Sequence, residues 1–245
     1  MIKTKIRTLL LDIESSPNIA YVWGKWEQNV LGDFIRERQI ICFAWKWLDE
    51  KETHVLSLPR FPMYLKDRLN NKSLVQELHN IISCADIVIG HNLVQFDDKM
   101  ANTDFIVNGF EPPPPHKTVD TLKVARSRFG FNSNKLDDLG ARLKLGRKKK
   151  TGGFDLWVRC LAGEPDAWRT MEEYNRQDVV LLEKVYLKMR PWMINHPAVA
   201  YKESCPVCGS KNTQKSGFVF SKVGKKQRYK CRCGQWFCGP TVKEK

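Results

Sequence analysis

An apolar run that passes directly into two acids places the strongest constraint on this chain. Residues 9–13 read LLLDI, and Glu14 follows. A continuous apolar run of this kind predicts a buried strand, here over residues 6–13, although burial makes an unpaired carboxylate costly. Alternate residues of a strand face the same side, so Asp12 and Glu14 project together. Either the strand ends at Asp12 and the acids begin a solvated loop, or both acids face one site.

The rest of the chain predicts a mixed α/β domain followed by a small unit of different composition. Apolar runs predict further strands over residues 39–48, 53–58, 86–90 and 117–122, and helical spacing predicts the segments between and after them. The order βββαβαβα, with extra helices, suits a mixed β-sheet flanked by helices in residues 1–198. The spacing of Thr170 and Glu173 predicts a capping box at the start of the last long helix, which ends near Met189.

Charge is concentrated in the C-terminal unit. The chain of 245 residues has a net charge of +14, and from Lys202 onward 11 Lys and Arg face only 2 Asp and Glu. Such an excess predicts a polyanionic partner.

A hydrophobic content of 42% is ample for a core. No apolar run is long enough to span a bilayer and the first residues lack the apolar centre of a signal peptide, so we expect a cytoplasmic protein without a membrane partner.

Two further acids occupy unusual positions. Asp97 begins a predicted helix directly after the strand at residues 86–90, where an acid also suits a helix N-terminus. Asp178 lies on the apolar stripe of the last helix, one turn after Tyr174. An acid there needs a partner: a hydrogen bond from Tyr174, an ion pair with Arg176 or Lys123, or a metal ion.

Convergence of these four acids has a chemical consequence. Each pair of like charges about 4 Å apart costs roughly 4 kcal/mol at an effective dielectric constant near 20. Divalent metal ions remove this repulsion, and a set of oxygen ligands favours Mg²⁺ or Mn²⁺. Two such ions form the clamp that is used in phosphodiester hydrolysis.

Three segments, DIE, HNLVQFD and YNRQD, resemble in this order the motifs of the DEDD family of 3′-5′ exonucleases, which have the RNase H-like fold. The spacing Tyr174-x-x-x-Asp178 is that of the tyrosine subgroup. The segment KLDDLGARLKLG is similar to exonuclease domains related to B-family DNA polymerases and to phage-type exonucleases, which implies a bacterial host if the protein is phage-encoded. The resemblance implies that Tyr174 orients the attacking water and that two Mg²⁺ or Mn²⁺ ions are held by Asp12, Glu14, Asp97 and Asp178.

Basic and aromatic residues suggest where nucleic acid binds. The segment GRKKKTGG is either a solvated mobile loop or a clamp on backbone phosphates formed by Arg147, Lys148, Lys149 and Lys150. The long link after Glu14 carries three aromatic residues that either stack on unpaired bases or cover the sheet: Tyr21, Trp23 and Trp26.

Paired cysteines identify the C-terminal unit, residues 199–245, as similar to a zinc ribbon. Cys205-x-x-Cys208 and Cys231-x-Cys233 predict one structural Zn²⁺ ion bound by four thiolates. The second pair departs from the usual spacing by one residue, so Cys238 is an alternative ligand. Basic residues between the pairs are predicted to grip nucleic acid, among them Lys225, Lys226 and Arg228.

The sequence therefore predicts a metal-dependent 3′-5′ exonuclease that acts on nucleic acid, with DNA favoured over RNA, and that carries a zinc ribbon. Two alternatives remain open. The first is a structure-selective endonuclease or an RNA nuclease on the same fold. The second is a zinc-dependent nucleic-acid-binding protein without catalytic activity, which the presence of all four acids and Tyr174 disfavours.

Overall fold

A five-stranded mixed sheet forms the centre of the first part of the protein. The computed structural model describes residues 6–26, 29–194, 196–197, 204–221 and 224–242. The strands are β1 (Thr8–Ser15), β2 (Ile40–Trp47), β3 (His54–Ser57), β4 (Ile87–Gly90) and β5 (Lys117–Asp120), in the spatial order β3-β2-β1-β4-β5. Strands β1, β2 and β3 pair antiparallel, whereas β4 and β5 run parallel to β1. The central strand β1 is thus the strand with the two acids.

Helices cover both faces of this sheet. They are α1 (Lys72–Ser83), α2 (Asp97–Val107), α3 (Thr121–Arg128), α4 (Leu136–Arg142), α5 (Asp155–Ala162) and α6 (Pro165–Met189). Leu9 and Leu11 of β1 belong to one buried apolar cluster, and Leu10 belongs to another. A strand that is buried on both faces reads as a continuous apolar run, which explains LLL. The mixed α/β architecture predicted from the sequence is confirmed.

The first strand has the predicted length of eight residues but begins and ends two residues later than predicted. Its pairing with β2 continues through Asp12, opposite Ala44, and Glu14, opposite Cys42, and it ends at Ser15. Both acids therefore belong to the strand, so the alternative in which they begin a solvated loop is wrong. Their backbone positions are fixed by the ladder.

The predicted capping box is also wrong. Helix α6 begins at Pro165, five residues before Thr170, with proline in the first helical position. The Thr170 hydroxyl donates a hydrogen bond to the Asp166 carbonyl oxygen at 2.9 Å, so it lies inside the helix rather than at its end. The end of the helix at Met189 agrees with the prediction.

A separate three-stranded antiparallel sheet lies in the C-terminal part. It consists of β6 (Thr213–Ser221), β7 (Gly224–Cys231) and β8 (Trp236–Val242). Residues 198–203 lie outside the described residues. The domain boundary predicted between residues 198 and 199 therefore stays a prediction. Within the described part of the chain, no helix is both long and apolar enough to cross a membrane.

Gly140 permits a close approach between α4 and the basic segment that follows it. A Cβ atom added there would lie 2.7 Å from the carbonyl oxygen of Gly146 and 2.8 Å from Cδ1 of Leu181. We therefore expect Gly140→Ala to lower the free energy of unfolding by about 1–3 kcal/mol, as overpacking does, in urea denaturation. Gly130→Ala is the matched control, because nothing lies within 4 Å of its added Cβ. Equal losses in the two variants would contradict this prediction.

Candidate functional site

Three carboxyl groups meet between β1 and α6. Oxygen atoms of Asp12, Glu14 and Asp178 all lie within 4.8 Å of one another. The first two extend from alternate positions of β1, and the third comes from the middle of α6, which packs against β1 and β2. Asp178 is fully buried. The structure therefore brings together three of the four acids that the sequence singles out.

Asp97 is held against the backbone of the same strand. It is the first residue of α2 and is 2% exposed. Its Oδ1 accepts a hydrogen bond of 2.9 Å from the backbone N–H of Ile13, between Asp12 and Glu14. Burial, and then the charge of Asp12, hold the pKa of Asp97 well above its usual value. Asp97 therefore lies outside the group of three but contributes to its electrostatics.

The acid cluster, defined as Asp12, Glu14 and Asp178, is short of positive charge. Burial, followed by the charge of Asp178, raises the pKa of Asp12 to about 7. Burial and the charge of Asp12 raise the pKa of Glu14 well above its usual value, and burial raises that of Asp178. Within the described residues, Oδ1 of Asp178 is buried without a hydrogen-bond partner. Burial and mutual repulsion that raise these pKa values, together with that carboxylate oxygen, indicate a place for a cation.

Lys148 supplies one positive charge to the cluster. Its Nζ lies 2.6 Å from Oδ2 of Asp178 and donates a hydrogen bond of 3.1 Å to the Tyr174 hydroxyl. Burial opposes the charge on Lys148, but the carboxylates of Asp12 and Asp178 outweigh burial and raise its pKa. The ion pair of Asp178 is thus formed with Lys148, so the alternative in which Arg176 or Lys123 pairs with Asp178 is wrong.

Tyr174 lies at the edge of the acid cluster. Its ring packs edge-on against Trp157, with the ring centroids 6.3 Å apart. Burial, and then the charge of Asp178, raise the pKa of the Tyr174 hydroxyl. The phenol is therefore protonated at neutral pH and acts as a hydrogen-bonding group.

Asn175 is a site residue that the sequence analysis missed. It is fully buried, and its side-chain amide donates to Oδ2 of Asp12 at 2.7 Å and to the Asp12 carbonyl oxygen at 3.2 Å. Its Oδ1 accepts a long bond of 3.4 Å from the Cys42 thiol. Its helical position gave a signal, because a polar residue four after Met171 and three before Asp178 lies on the buried stripe.

The other members of the predicted phosphate clamp make no contact with the acid cluster that is comparable to that of Lys148 among the ion pairs of the described residues. Arg147 pairs with Asp137 at 2.9 Å, and Lys149 pairs with Glu173. Lys150 is exposed. Three of the four basic residues of the clamp are thus in contact with acids, and a role in phosphate binding stays a prediction.

Two cavities are lined by residues next to the acid cluster. One, of about 560 Å³, begins at Ser15, directly after Glu14, and its other lining residues include Arg38, Thr151, Phe154 and Trp157. The second, of about 540 Å³, reaches Lys148, and its lining residues include Asn92, Arg126, Asn134 and Lys135. Both volumes lie in the range of sites for small ligands.

The aromatic residues of the link between β1 and β2 do not cover the sheet. Tyr21, Trp23 and Trp26 are 70%, 83% and 88% exposed. Backbone hydrogen bonds between Ile19 and Arg36 hold the base of this link. Of the two alternatives predicted for these residues, the covering role is wrong, and stacking on bases stays a prediction.

Four cysteines meet at one end of the C-terminal sheet, where β7 ends at Cys231. Sulfur atoms of Cys205, Cys208, Cys231 and Cys233 lie within 4.8 Å of one another, at 3.7 Å for Cys205–Cys233 and 3.4 Å for Cys208–Cys231. Four thiolates about 2.3 Å from a tetrahedral Zn²⁺ ion would be separated by nearly 3.8 Å, so the arrangement fits that ion. Cys238 is exposed and lies outside this group.

The raised pKa of Asp12 predicts how stability depends on pH when no Mg²⁺ or Mn²⁺ is added. Between the ordinary pKa near 4 and the folded-state value of about 7, the folded protein binds a proton that the unfolded chain has lost. Stability therefore falls as pH rises through this range. We expect Asp12→Asn to flatten the profile and to raise the melting temperature at pH 8, measured by thermal unfolding.

Glu50→Gln, at an exposed position, is the matched control and should leave the wild-type profile unchanged. An Asp12→Asn profile identical to that of the wild type would contradict the prediction.

Comparison with known proteins gives a family and a fold. No curated protein matches the chain. Among solved structures, the fold is similar to that of the family B DNA polymerase from the hyperthermophilic archaeon Pyrobaculum calidifontis, with a TM-score of 0.57 and 12% identity. The likeness covers 76% of this chain but only 25% of the polymerase chain, and at this identity it concerns the fold alone. A model of the RNase H superfamily matches residues 32–190, well over half of the sequence, so the chain belongs to the RNase H superfamily.

Proposed function

We propose that the protein is a metal-dependent 3′-5′ exonuclease that hydrolyses phosphodiester bonds of nucleic acid, with DNA favoured over RNA. The observation that carries this proposal is the acid cluster on the central strand of an RNase H-like sheet, with oxygen atoms within 4.8 Å of one another. Buried carboxyl groups arranged in this way are the ligand set of a divalent metal centre.

Two Mg²⁺ or Mn²⁺ ions would be held by the acid cluster together with Asp97. The partnerless Oδ1 of Asp178 and the ammonium group of Lys148 beside Oδ2 support this assignment, since both indicate a place for positive charge. When bound, such ions supply activation of water and stabilisation of the leaving oxygen.

The chain's own residues orient the reactants. Tyr174, which stays protonated, positions a water molecule by a hydrogen bond and does not remove its proton. Asn175 fixes the direction of the Asp12 carboxylate through its bond of 2.7 Å. The cavity that reaches Lys148 is also lined by Arg126 and Lys135. These three cations would bind phosphate groups of the substrate.

Two features support an exonuclease over an endonuclease. The spacing of Tyr174 and Asp178 is that of the tyrosine subgroup, and the cavity bounded by Phe154 and Trp157 has room for one terminal nucleotide. An endonuclease on the same fold is the second candidate. A strand that occupies the cavity bounded by Phe154 and Trp157 would be able to continue past the acid cluster into the cavity that reaches Lys148. Labels at the 5′ or the 3′ end separate the two.

Substitutions of acids test the catalytic assignment. We expect Asp178→Asn and Asp97→Asn each to lower the cleavage rate of end-labelled DNA by at least 100-fold in Mg²⁺ or Mn²⁺, because each removes a charged ligand. Binding of the same DNA without added metal should persist. Asp98→Asn is the matched control, since Asp98 is adjacent to Asp97 but is not one of the four proposed metal ligands, and it should cleave within about twofold of the wild type.

Release of mononucleotides from the 3′ end is the expected product pattern, and internal fragments would favour the endonuclease. Wild-type cleavage rates in Asp178→Asn would refute the proposed function.

The four cysteines support a second, structural metal. We propose that they bind one Zn²⁺ ion that stabilises the β6–β8 sheet, because four thiolates leave no open position for water. The basic strand β7 beside this site carries Lys225, Lys226 and Arg228, which we propose to contact nucleic acid.

Removal of single cysteines tests the zinc site. We expect Cys205→Ser to lose zinc, measured as metal content by mass spectrometry under native conditions, and to lose the ordered signals of residues 204–242 in NMR spectra. Cys238→Ser should keep one zinc ion per chain, because Cys238 lies outside the group of four. Loss of zinc in Cys238→Ser with retention in Cys233→Ser would reverse the ligand assignment.

A further inference from the structure

We propose that one face of the β6–β8 sheet binds an unpaired stretch of nucleic acid, with a base stacked on Trp236 and phosphates on the neighbouring cations. This face, the Trp236 face, consists of Lys226, Arg228, Lys230 and Trp236. The inference rests on the proposed function in taking nucleic acid as the partner, and it adds the kind of strand that is recognised.

The strand register separates this face from the cysteine site. Lys230 pairs directly with Trp236, so their side chains are on the same side of the sheet, and Arg228 is two residues from Lys230 on that side. The next residues along the strands, Cys231 and Phe237, face the other side and pack in the cysteine cluster. One side of the sheet is therefore occupied by the predicted zinc site, and the Trp236 face is the opposite side.

Trp236 combines exposure with close positive charge. Its side chain is 44% exposed, and Arg228 Cζ and Lys230 Nζ each lie 5.4 Å from its ring centroid. Arg228 is held in place, because its Nε donates a hydrogen bond of 2.9 Å to the Ser216 carbonyl oxygen of β6. The face thus presents a partly exposed aromatic ring with two cations over it, one of which is anchored.

Charge identifies the class of partner. Residues 204–242 contain eight Lys and Arg and no Asp or Glu. A surface with basic residues and no acids attracts a polyanion. It has no negative charge that would complement a cationic partner. Nucleic acid fits this requirement along its whole backbone.

The exposed ring identifies the kind of strand. Phosphate contacts need only cations, whereas base stacking on an aromatic side chain needs the flat face of a base, which is covered by neighbouring bases in a duplex. Trp236 therefore adds affinity for unpaired bases beyond what Arg228 and Lys230 supply. A protein that degrades a strand from its end would be kept near unpaired strands by this contact.

The test measures binding alone. Full-length protein in buffer without added Mg²⁺ or Mn²⁺ is titrated against a fluorescein-labelled single strand, the same sequence as a duplex, and heparin as a polyanion without bases. We expect Trp236→Ala to weaken single-strand binding at least fivefold, as expected for one stacked base, and to change duplex and heparin binding by less than twofold. Trp192→Ala, at a 52% exposed tryptophan outside this sheet, is the control and should change none of the three.

A charge variant separates stacking from electrostatics. Arg228→Gln with Lys230→Gln should weaken binding of all three probes and lower the log–log salt slope for the single strand by about 1.4, or about 0.7 for each charge. Trp236→Ala should leave that slope unchanged. Zinc content and melting temperature are measured for every variant, and if Trp236→Ala loses zinc, Trp236→Leu and Trp236→Phe replace it.

Retention of single-strand affinity by the Phe variant and loss by the Leu variant support the proposal. Equal weakening of all three probes by Trp236→Ala overturns it, because the face would then recognise charge only. Unchanged binding with zinc retained also overturns it, and leaves the proposed nuclease function standing. If the wild-type protein binds heparin but neither nucleic acid, the proposed function fails as well.

Discussion

Repulsion among the buried carboxyl groups of the acid cluster is the main energetic cost that the larger sheet and its helices must offset. Two full charges 4.8 Å apart, the outer limit within the acid cluster, repel by roughly 3–4 kcal/mol at a dielectric constant near 20. This is a large part of the 5–15 kcal/mol by which a domain is normally stable. The protein tolerates the cluster because burial and mutual repulsion favour the protonated forms of Asp12 and Glu14 and because Lys148 brings one positive charge to Asp178.

Neighbouring groups fix the acids individually while leaving the cluster incomplete. Asn175 binds the Asp12 carboxylate, and the backbone N–H of Ile13 binds Asp97. These bonds set orientations before any ligand arrives, as a preorganised site requires. In the described part of the chain, Oδ1 of Asp178 is left without a partner, so the geometry is complete but the charge balance is not.

Much of this arrangement could be predicted from periodicity, and the rest could not for identifiable reasons. Alternation along a strand predicted that Asp12 and Glu14 face the same side. Asp178 was recognised because it is an acid on the apolar stripe of α6. The role of Lys148 was inaccessible, because the segment between α4 and α5 has no regular period to show where a side chain points. The start of α6 was misplaced because a local capping pattern at Thr170 competes with Pro165, which sets the first turn.

The position of the site also depends on a contact outside it. Glu172 accepts hydrogen bonds from Ser57 at 2.6 Å and from Nε of Arg60 at 2.8 Å, which attach α6 to the β3 edge of the sheet. Tyr174, Asn175 and Asp178 follow on the same rigid helix. Any sliding or rotation of that helix changes their distances to β1 together, so the Arg60–Glu172 ion pair at the far edge of the sheet contributes to the alignment of the whole group, beside the packing of α6 on β1 and β2.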